Sequence, residues 1–555
     1  MVKSLVDICL SRIQISLDLV SNAGRYLPRV YKEILIQRIA AHDQLTESYL
    51  PYVSYNLFSE SVRKIDFYRC EQITDKVLEL ISSSRCKLDQ LTIHGCNQIT
   101  DKGFIYITQS QDQLVKLEFR KMRGLTNKGL NAIRSSQLQR LDLTGCFNVT
   151  FSGACEVVCN NPSIRNLILR GIEEKGDNYM GSRNQNDARH NELITMMSRL
   201  CHNLEELDCE LFQLNDECLE CLGQFCPNLK KLNLHGCVRF HGEALIKLSI
   251  GCNQLQNLDM SYCGVWQEHE REALWTLPTS LTHLSLCGVL LSDKTILTEC
   301  LQRLKKLKSV RLCGVPALDD SSLEKILQYT GACLLELDLS GGQGTALTDA
   351  GLAFVTQYCI RLESLAISLL RNVTGISLIP IFQTPERAAC IKSLFLSVRN
   401  LDSEMLFFVA ESCLNLERLE VSGVFCVNDK LLFSLSEGCP RLEDLGLKGC
   451  TQVTDEGVCR VAQSCPLKKI VLAGINNLTD RSIITLANNC HMLHEIYLNG
   501  CYKVSELAIR YLVDCCIPRL YYRHVTPNAN PNQLMAKNLD TGQYCQVDGM
   551  IYNAL

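Results

Sequence analysis

The chain has 555 residues, is 46% hydrophobic and 21% charged, and carries a formal net charge of −4. This is the composition of an ordered, core-forming chain rather than a disordered one. With no dense Lys/Arg block it gives no reason to expect a nucleic-acid or membrane surface, and with no run of about 20 apolar residues it gives none to expect a transmembrane helix. The apolar patch within Met1–Leu10 is interrupted by Asp7 and has no long apolar region or small-residue cleavage site, so it does not read as a signal peptide.

Residues 1–60 carry no repeat and read as helical. Leu5, Ile8, Cys9, Ile13 and Leu17 fall at helical spacings and predict an amphipathic helix. Ser4 is suited to the N-cap, and Asp7 favours the helix N-terminus. After a break at Asn22-Ala23-Gly24 a second helix is expected from Leu27-Pro28 through Tyr31, Ile34, Leu35 and Ile39, because proline is tolerated in a first turn. A third, short helix is expected over Gln44 to Val53.

Residues 61–516 read as one array of about 17 repeats. The clearest copy is Cys439 to Val458, with the pattern C-x-x-L-x-x-L-x-L-x-x-C-x-x-V-T-D-x-x-V. Cys413, Cys439 and Cys465 open successive copies 26 residues apart. A period of this size with a leucine ladder means a solenoid. Each L-x-L segment is expected to be a short strand with its leucines facing a core. The second cysteine is expected at a buried ladder position. The Asp of each Thr-Asp pair, as at Asp75, Asp101, Asp349, Asp455 and Asp480, is expected to cap the helix it opens. Parallel strands inside and helices outside would give an α/β horseshoe with a small N-terminal helical cap. A polar, turn-rich insertion at 172–191 reads as a loop, and 517–555 as an irregular cap or tail.

Most of the 32 cysteines occupy the two repeat positions, so a reducing compartment, cytoplasmic or nuclear, is expected. The pairs Cys155/Cys159 and Cys218/Cys221 lack the further ligands a zinc site needs, so neither metal nor cofactor is expected. Gly341-Gly342-Gln343-Gly344 reads as a lengthened repeat turn, with no nucleotide-binding context around it. No catalytic motif stands out, and the chain reads as a non-enzyme.

The N-terminus carries a resemblance. Ser4-Leu5-Val6-Asp7-Ile8-Cys9-Leu10-Ser11-Arg12-Ile13 fits the elongin-binding BC-box at Ser4, Leu5, Cys9 and Ile13. Leu27, Pro28, Tyr31 and Leu35 look like a cullin-2 box. Together they resemble the VHL box, and the wording is similar to that of Zyg/Zer-type substrate receptors. The repeats are similar to the cysteine-containing leucine-rich repeats of ubiquitin-ligase receptors. The resemblance implies a substrate-recognition subunit of a cullin-RING ligase that partners elongin B/C and cullin-2 and places a protein target near the transfer machinery. Leu27-Pro28 also resembles the start of an F-box, which would imply a Skp-type adaptor, although Glu33 arrives late for that motif. A third reading is a repeat scaffold without ligase linkage. The outward strand residues Asp208, Glu210, Asn233, His235 and Asp259 are the candidate substrate face, and their acidity suggests a basic or mixed target segment.

Overall fold

The computed structural model describes residues 5–19, 23–41, 44–68, 70, 72–172, 183–266, 271–291, 294–341, 345–515, 521–524, 533–537 and 544–548. Ser4 and Gly342 to Gly344 lie outside the described residues. The chain divides into two compact units, Met1–Leu255 and Gln256–Leu555. Each is an α/β leucine-rich-repeat coil, in which short parallel strands alternate with helices.

Among the described residues of the first unit, four helices precede the repeats: α1 (Leu5–Ile15), α2 (Ala23–Tyr26), α3 (Arg29–Ala41) and α4 (Leu50–Leu57). The repeat strands then pair in one register, Ile65 beside Leu91, Leu117, Leu141, Leu167, Leu207 and Leu232 in turn. All these side chains are buried. The register is fixed by that burial, because a one-residue slip would turn every leucine to the opposite face. Part of the expected loop at 172–191 is helix, since Arg183–Leu200 is helical. Leu193, Ile194 and Met197 of this helix are buried, so its second half supplies the apolar stripe the polar first half lacks.

The second unit repeats the scheme. Leu258, Leu284, Val310, Leu337, Leu365, Leu394, Leu419, Leu445, Ile470 and Ile496 form a second in-register ladder. Tyr521–His524 adds a further parallel strand, and Gln533–Lys537 and Tyr544–Asp548 follow as antiparallel strands. The segment 517–555, expected to be irregular, therefore includes regular sheet. Its alternation is too short and too interrupted by Asn and Pro to register as a strand pattern.

The expected role of the repeat aspartates is corrected. At four of the five the threonine before the aspartate caps the helix by its side chain, Thr454 accepting from Glu456 N and Thr479 from Arg481 N, whereas Thr74 stands at the N-cap without such a bond. The aspartate instead reaches the next repeat. Asp75 accepts from Thr100 N at 2.8 Å and Thr100 Oγ1 at 2.6 Å, and Asp101 binds Thr126 with the same two lengths. Asp349 binds Thr374, Asp455 binds Thr479 and Asp480 binds Ser505 in the same manner. The glycine three residues beyond the bound threonine belongs to this device: Gly103 N and Gly129 N donate to Asp75 and Asp101 at 3.1 Å. A Cβ on Gly103 would lie 2.4 Å from the Asp75 carboxylate.

The described cysteines are free thiols. Several at the repeat positions also link neighbours, by donating to a carbonyl of the preceding repeat. Cys146 reaches Phe119 O at 3.0 Å, Cys237 reaches Cys209 O at 3.3 Å and Cys501 reaches Leu472 O at 3.1 Å. Sulfur is small and apolar enough for a packed layer while still meeting one buried carbonyl. Burial pushes these thiols up, Cys146 and Cys252 to about 12, so they stay protonated and unreactive.

Candidate functional site

The N-terminal helices present two different faces. On α1, Leu10, Gln14 and Leu17 are buried, and Val6 and Cys9 are exposed with Ile13 half-buried. The buried stripe is thus Leu10–Gln14–Leu17, and the Leu5 side chain lies outside the described residues. Positions 6, 9 and 13 form the outward stripe. The C-terminal end of α1 is held by Tyr49, whose hydroxyl donates to Gln14 O at 2.7 Å and accepts from Leu17 N at 3.2 Å. Gln14 adds a bond to Gln44 at 2.9 Å. Of the BC-box positions, then, Cys9 and Ile13 are accessible on a helix anchored from behind.

On α3 the cullin-box positions separate. Pro28 is exposed, Leu27 and Tyr31 are half-buried, and Leu35 is fully buried with Ile36, Ile39 and Ala40. Leu35 packs in the core. Glu33, on the same helix, accepts from Arg63 N at 2.9 Å and Lys64 N at 3.1 Å. In the repeat that follows, Arg63 O accepts from Asp89 N and Gln90 N at 2.8 and 3.0 Å. The Glu33 oxygen therefore stands where a preceding repeat's carbonyl would stand, and α3 closes the first strand. The buried Lys32 donates to Ser59 Oγ at 3.1 Å, and burial lowers its pKa from the ordinary lysine value.

The strand face of the first unit is a lattice of opposite charges. Glu118 accepts from Arg140 at 2.9 Å and Lys116 at 3.1 Å, and Arg140 continues to Glu206 at 2.9 Å. Burial works against the charged form of Glu118, but these bonds and the Arg120 charge outweigh it and hold its pKa below the ordinary value. Arg120 meets Asp142 at 2.7 Å. Arg170 spans Asp208 at 2.6 Å and Glu210 at 3.0 Å. Asn233 donates to Asp208 at 3.1 Å and takes the backbone N of His235 at 2.9 Å.

The acidic reading of this face is thereby reduced. Asp208 and Glu210 are neutralised by Arg170 across the 172–191 insertion, and Asp208 is 8% exposed. Asp208, Asn233 and His235 are brought together; Glu210 shares their cation. Asp259 belongs to the second unit, where it accepts from Ser261 N at 2.9 Å. The same two-residue turn bond recurs at Asp142, Asp338 and Glu420, so these strand-end acids shape their own turns.

Among the described residues one group of donors suits a metal by proximity. The ligand atoms of Cys287, Cys313 and Asp338 lie within 4.8 Å of one another. By period alone these two cysteines do not stand out among those of the repeats. The available signal was their place before the turn glycine, as in Leu286-Cys287-Gly288, rather than after it, as in Gly236-Cys237. Cys155 and Cys159 are half-buried and exposed; Cys218 is buried and bonded to Asn191 at 3.1 Å. Among the described residues no helix is long and apolar enough to cross a membrane.

No protein-family model matches the chain. Its similarities to solved structures are distant. The Rad7 and Elc1 complex in yeast aligns at 16% identity over 92% of this chain and 96% of the other, with a TM-score of 0.34. An internalin from Listeria monocytogenes aligns at 15% identity over 76% and 88%, with a TM-score of 0.32. The TLR13–ssRNA13 complex aligns at 16% identity over 80% and 62%, with a TM-score of 0.34. Scores this low carry nothing about this chain's partners.

Proposed function

We propose that the chain is a substrate-recognition subunit of a cullin-RING ubiquitin ligase of the elongin B/C–cullin-2 type, docking its adaptor through α1 and holding a target protein on the repeat strand face. The observation that carries this reading is the division of α1. Leu10, Gln14 and Leu17 fasten the helix, which leaves Val6, Cys9 and Ile13 as an outward stripe at helical spacing. Such a stripe is what a helix-in-groove contact requires, and a small apolar cysteine at its centre allows close approach. The chain performs no chemistry in this role; it raises the local concentration of the target.

A second reading, in which the N-terminal helices serve only as a cap, is favoured for α3 by the Glu33 bonds to Arg63 and Lys64. The two readings divide between α3 and α1. Co-purification of the full chain with elongin B/C and with a Skp-type adaptor separates them. Wild-type protein is expected to recover elongin C, and Leu5→Ala with Cys9→Ala to lose it while circular dichroism and the unfolding midpoint are retained. Recovery of neither adaptor refutes the ligase reading, and recovery of the Skp-type adaptor alone moves the assignment to an F-box-type receptor.

A further inference from the structure

Cys287 and Cys313 occupy equivalent positions of successive repeats, two residues beyond the paired strand residues Ser285 and Arg311. Gly288 N donates to Cys313 O at 2.7 Å, which stacks the two turns directly. Neighbouring parallel strands lie about 4.8 Å apart, and a disulfide accepts Cα separations of about 4.4–6.8 Å. The spacing of neighbouring repeats therefore falls within the Cα range a disulfide accepts. Unlike the ladder thiols, these two stand at the strand end. Cys313 is half-exposed and Cys287 retains 6% exposure beside it.

Their surroundings differ from the ladder as well. The Cys287 and Cys313 sulfurs lie within 4.8 Å of one another, with an Asp338 carboxylate oxygen inside the same distance. Ser285 Oγ lies 3.6 Å from the same sulfur, and the Arg311 guanidinium stands nearby, 3.6 Å from Asp338. The Tyr262 ring borders the turn, where a Cβ on Gly288 would lie 2.3 Å from it. The neighbouring Cys313 thiol favours the charged form of Cys287 against the opposing effect of burial, and the same pairing pushes Cys313 upward. Arg311 is the cation beside this pair. That guanidinium also opposes a divalent cation among the three donors.

We propose that Cys287 and Cys313 form a redox-active dithiol that a hydroperoxide converts to a disulfide joining two successive repeats. The Cys287 thiolate attacks the nearer peroxide oxygen: an S–O bond forms, the O–O bond breaks, and the leaving alkoxide or hydroxide takes up a proton. The sulfur is oxidised by two electrons and the peroxide is reduced. Cys313 sulfur then attacks the sulfenic sulfur. The S–S bond forms, the S–O bond breaks, and the departing hydroxide leaves as water with the Cys313 proton. Overall, two thiols and one hydroperoxide give one disulfide, one alcohol and one water.

The test uses the full chain and about one equivalent of hydrogen peroxide at pH 7, followed by alkylation, proteolysis and mass spectrometry. The expected product is a peptide pair linked 287–313 that reductant separates, formed at least about tenfold faster than any other oxidation, since the thiolate is the reacting form. In Cys313→Ser, dimedone is expected to trap sulfenic acid at Cys287. In Cys287→Ser, the linked pair and the trapping both disappear. Oxidation that begins instead at exposed thiols such as Cys9, Cys159 or Cys333 overturns the proposal. So does stoichiometric zinc binding by equilibrium dialysis that either serine variant abolishes and that blocks the oxidation, because the cluster is then a metal site.

Discussion

Replacing Asp455 tests the assignment of the repeat aspartates to the following repeat. Its carboxylate accepts from Thr479 N at 2.9 Å and Thr479 Oγ1 at 2.6 Å. Hydrogen bonds to a charged group contribute about 1.5–3 kcal/mol each, but partial exposure and overlap between the two reduce the sum. Asp455→Ala is expected to cost about 3 kcal/mol. Asp455→Asn keeps an acceptor and should cost about 1 kcal/mol, the loss of charge assistance. The chain already contains this substitution, since Asn127 holds Thr150 N at 2.9 Å and Thr150 Oγ1 at 2.7 Å. The assay is hydrogen exchange by mass spectrometry, because a repeat array need not unfold in two states. Protection should fall at the start of Asp480–Asn489, the next repeat's helix, rather than in Asp455–Ser464. Burial opposes the Asp455 charge, but the Thr479 and Ser482 bonds outweigh it and lower the pKa. A depressed carboxylate contributes stability above its unfolded pKa and loses it as pH falls through the folded one, so the gap between wild type and Asp455→Ala should be constant from pH 6 to 8 and close below about pH 4. Loss of protection confined to Asp455–Ser464, or equal costs for Ala and Asn, would refute the reasoning.

Gly457→Ala should destabilise by about 1–3 kcal/mol despite alanine's better helix propensity, because its Cβ would lie 2.4 Å from Asp429 Oδ1 and 2.7 Å from Leu432 Cδ1; thermal denaturation reads this. His190 lies between Phe212, stacked at 4.4 Å, and Phe151, edge-on at 4.3 Å, and burial lowers its pKa from 6.5 to about 4. The unfolded chain binds the extra proton between these values. Stability is therefore complete above pH 6.5 and falls by up to ~3 kcal/mol towards pH 4; urea midpoints across that range should lose this slope in His190→Phe. Arg170→Ala should cost about 2–3 kcal/mol by leaving Asp208 buried without its cation, and Arg170→Lys should recover part of it, as followed by urea denaturation.

The leucine ladder was legible because every strand repeats one demand: a buried residue at one register position, here Leu445 beside Ile470 and Ile496. The aspartates were legible as conserved in spacing but not in partner. A local capping rule satisfies Asp455 within its own helix, and nothing in that window reveals a threonine 24 residues ahead. The cation paired with Asp208 was hidden for a similar reason, since Arg170 and Asp208 are separated by 38 residues and an insertion. On α1, spacing placed Leu5, Cys9, Ile13 and Leu17 on one line, yet only packing against Tyr49 and Gln44 decides which stripe faces inward. Cys287 and Cys313 were hidden by abundance, two strand-end thiols among many ladder thiols of the same period.

The bonds from Glu33 to Arg63 N and Lys64 N have a consequence for association. An outermost strand with unpaired N–H groups is a template on which another chain can add a strand. Here a carboxylate occupies the two groups that open the strand, and a side chain cannot be extended as a backbone can. Strand addition from that side would have to expel α3 and strip a charged acceptor from its donors. Glu33→Ala or removal of α3 is expected to turn a self-limiting coil into one that grows by end-to-end stacking, with sedimentation rising with concentration. A single glutamate thus sets the boundary of the sheet, a task usually assigned to a whole capping domain.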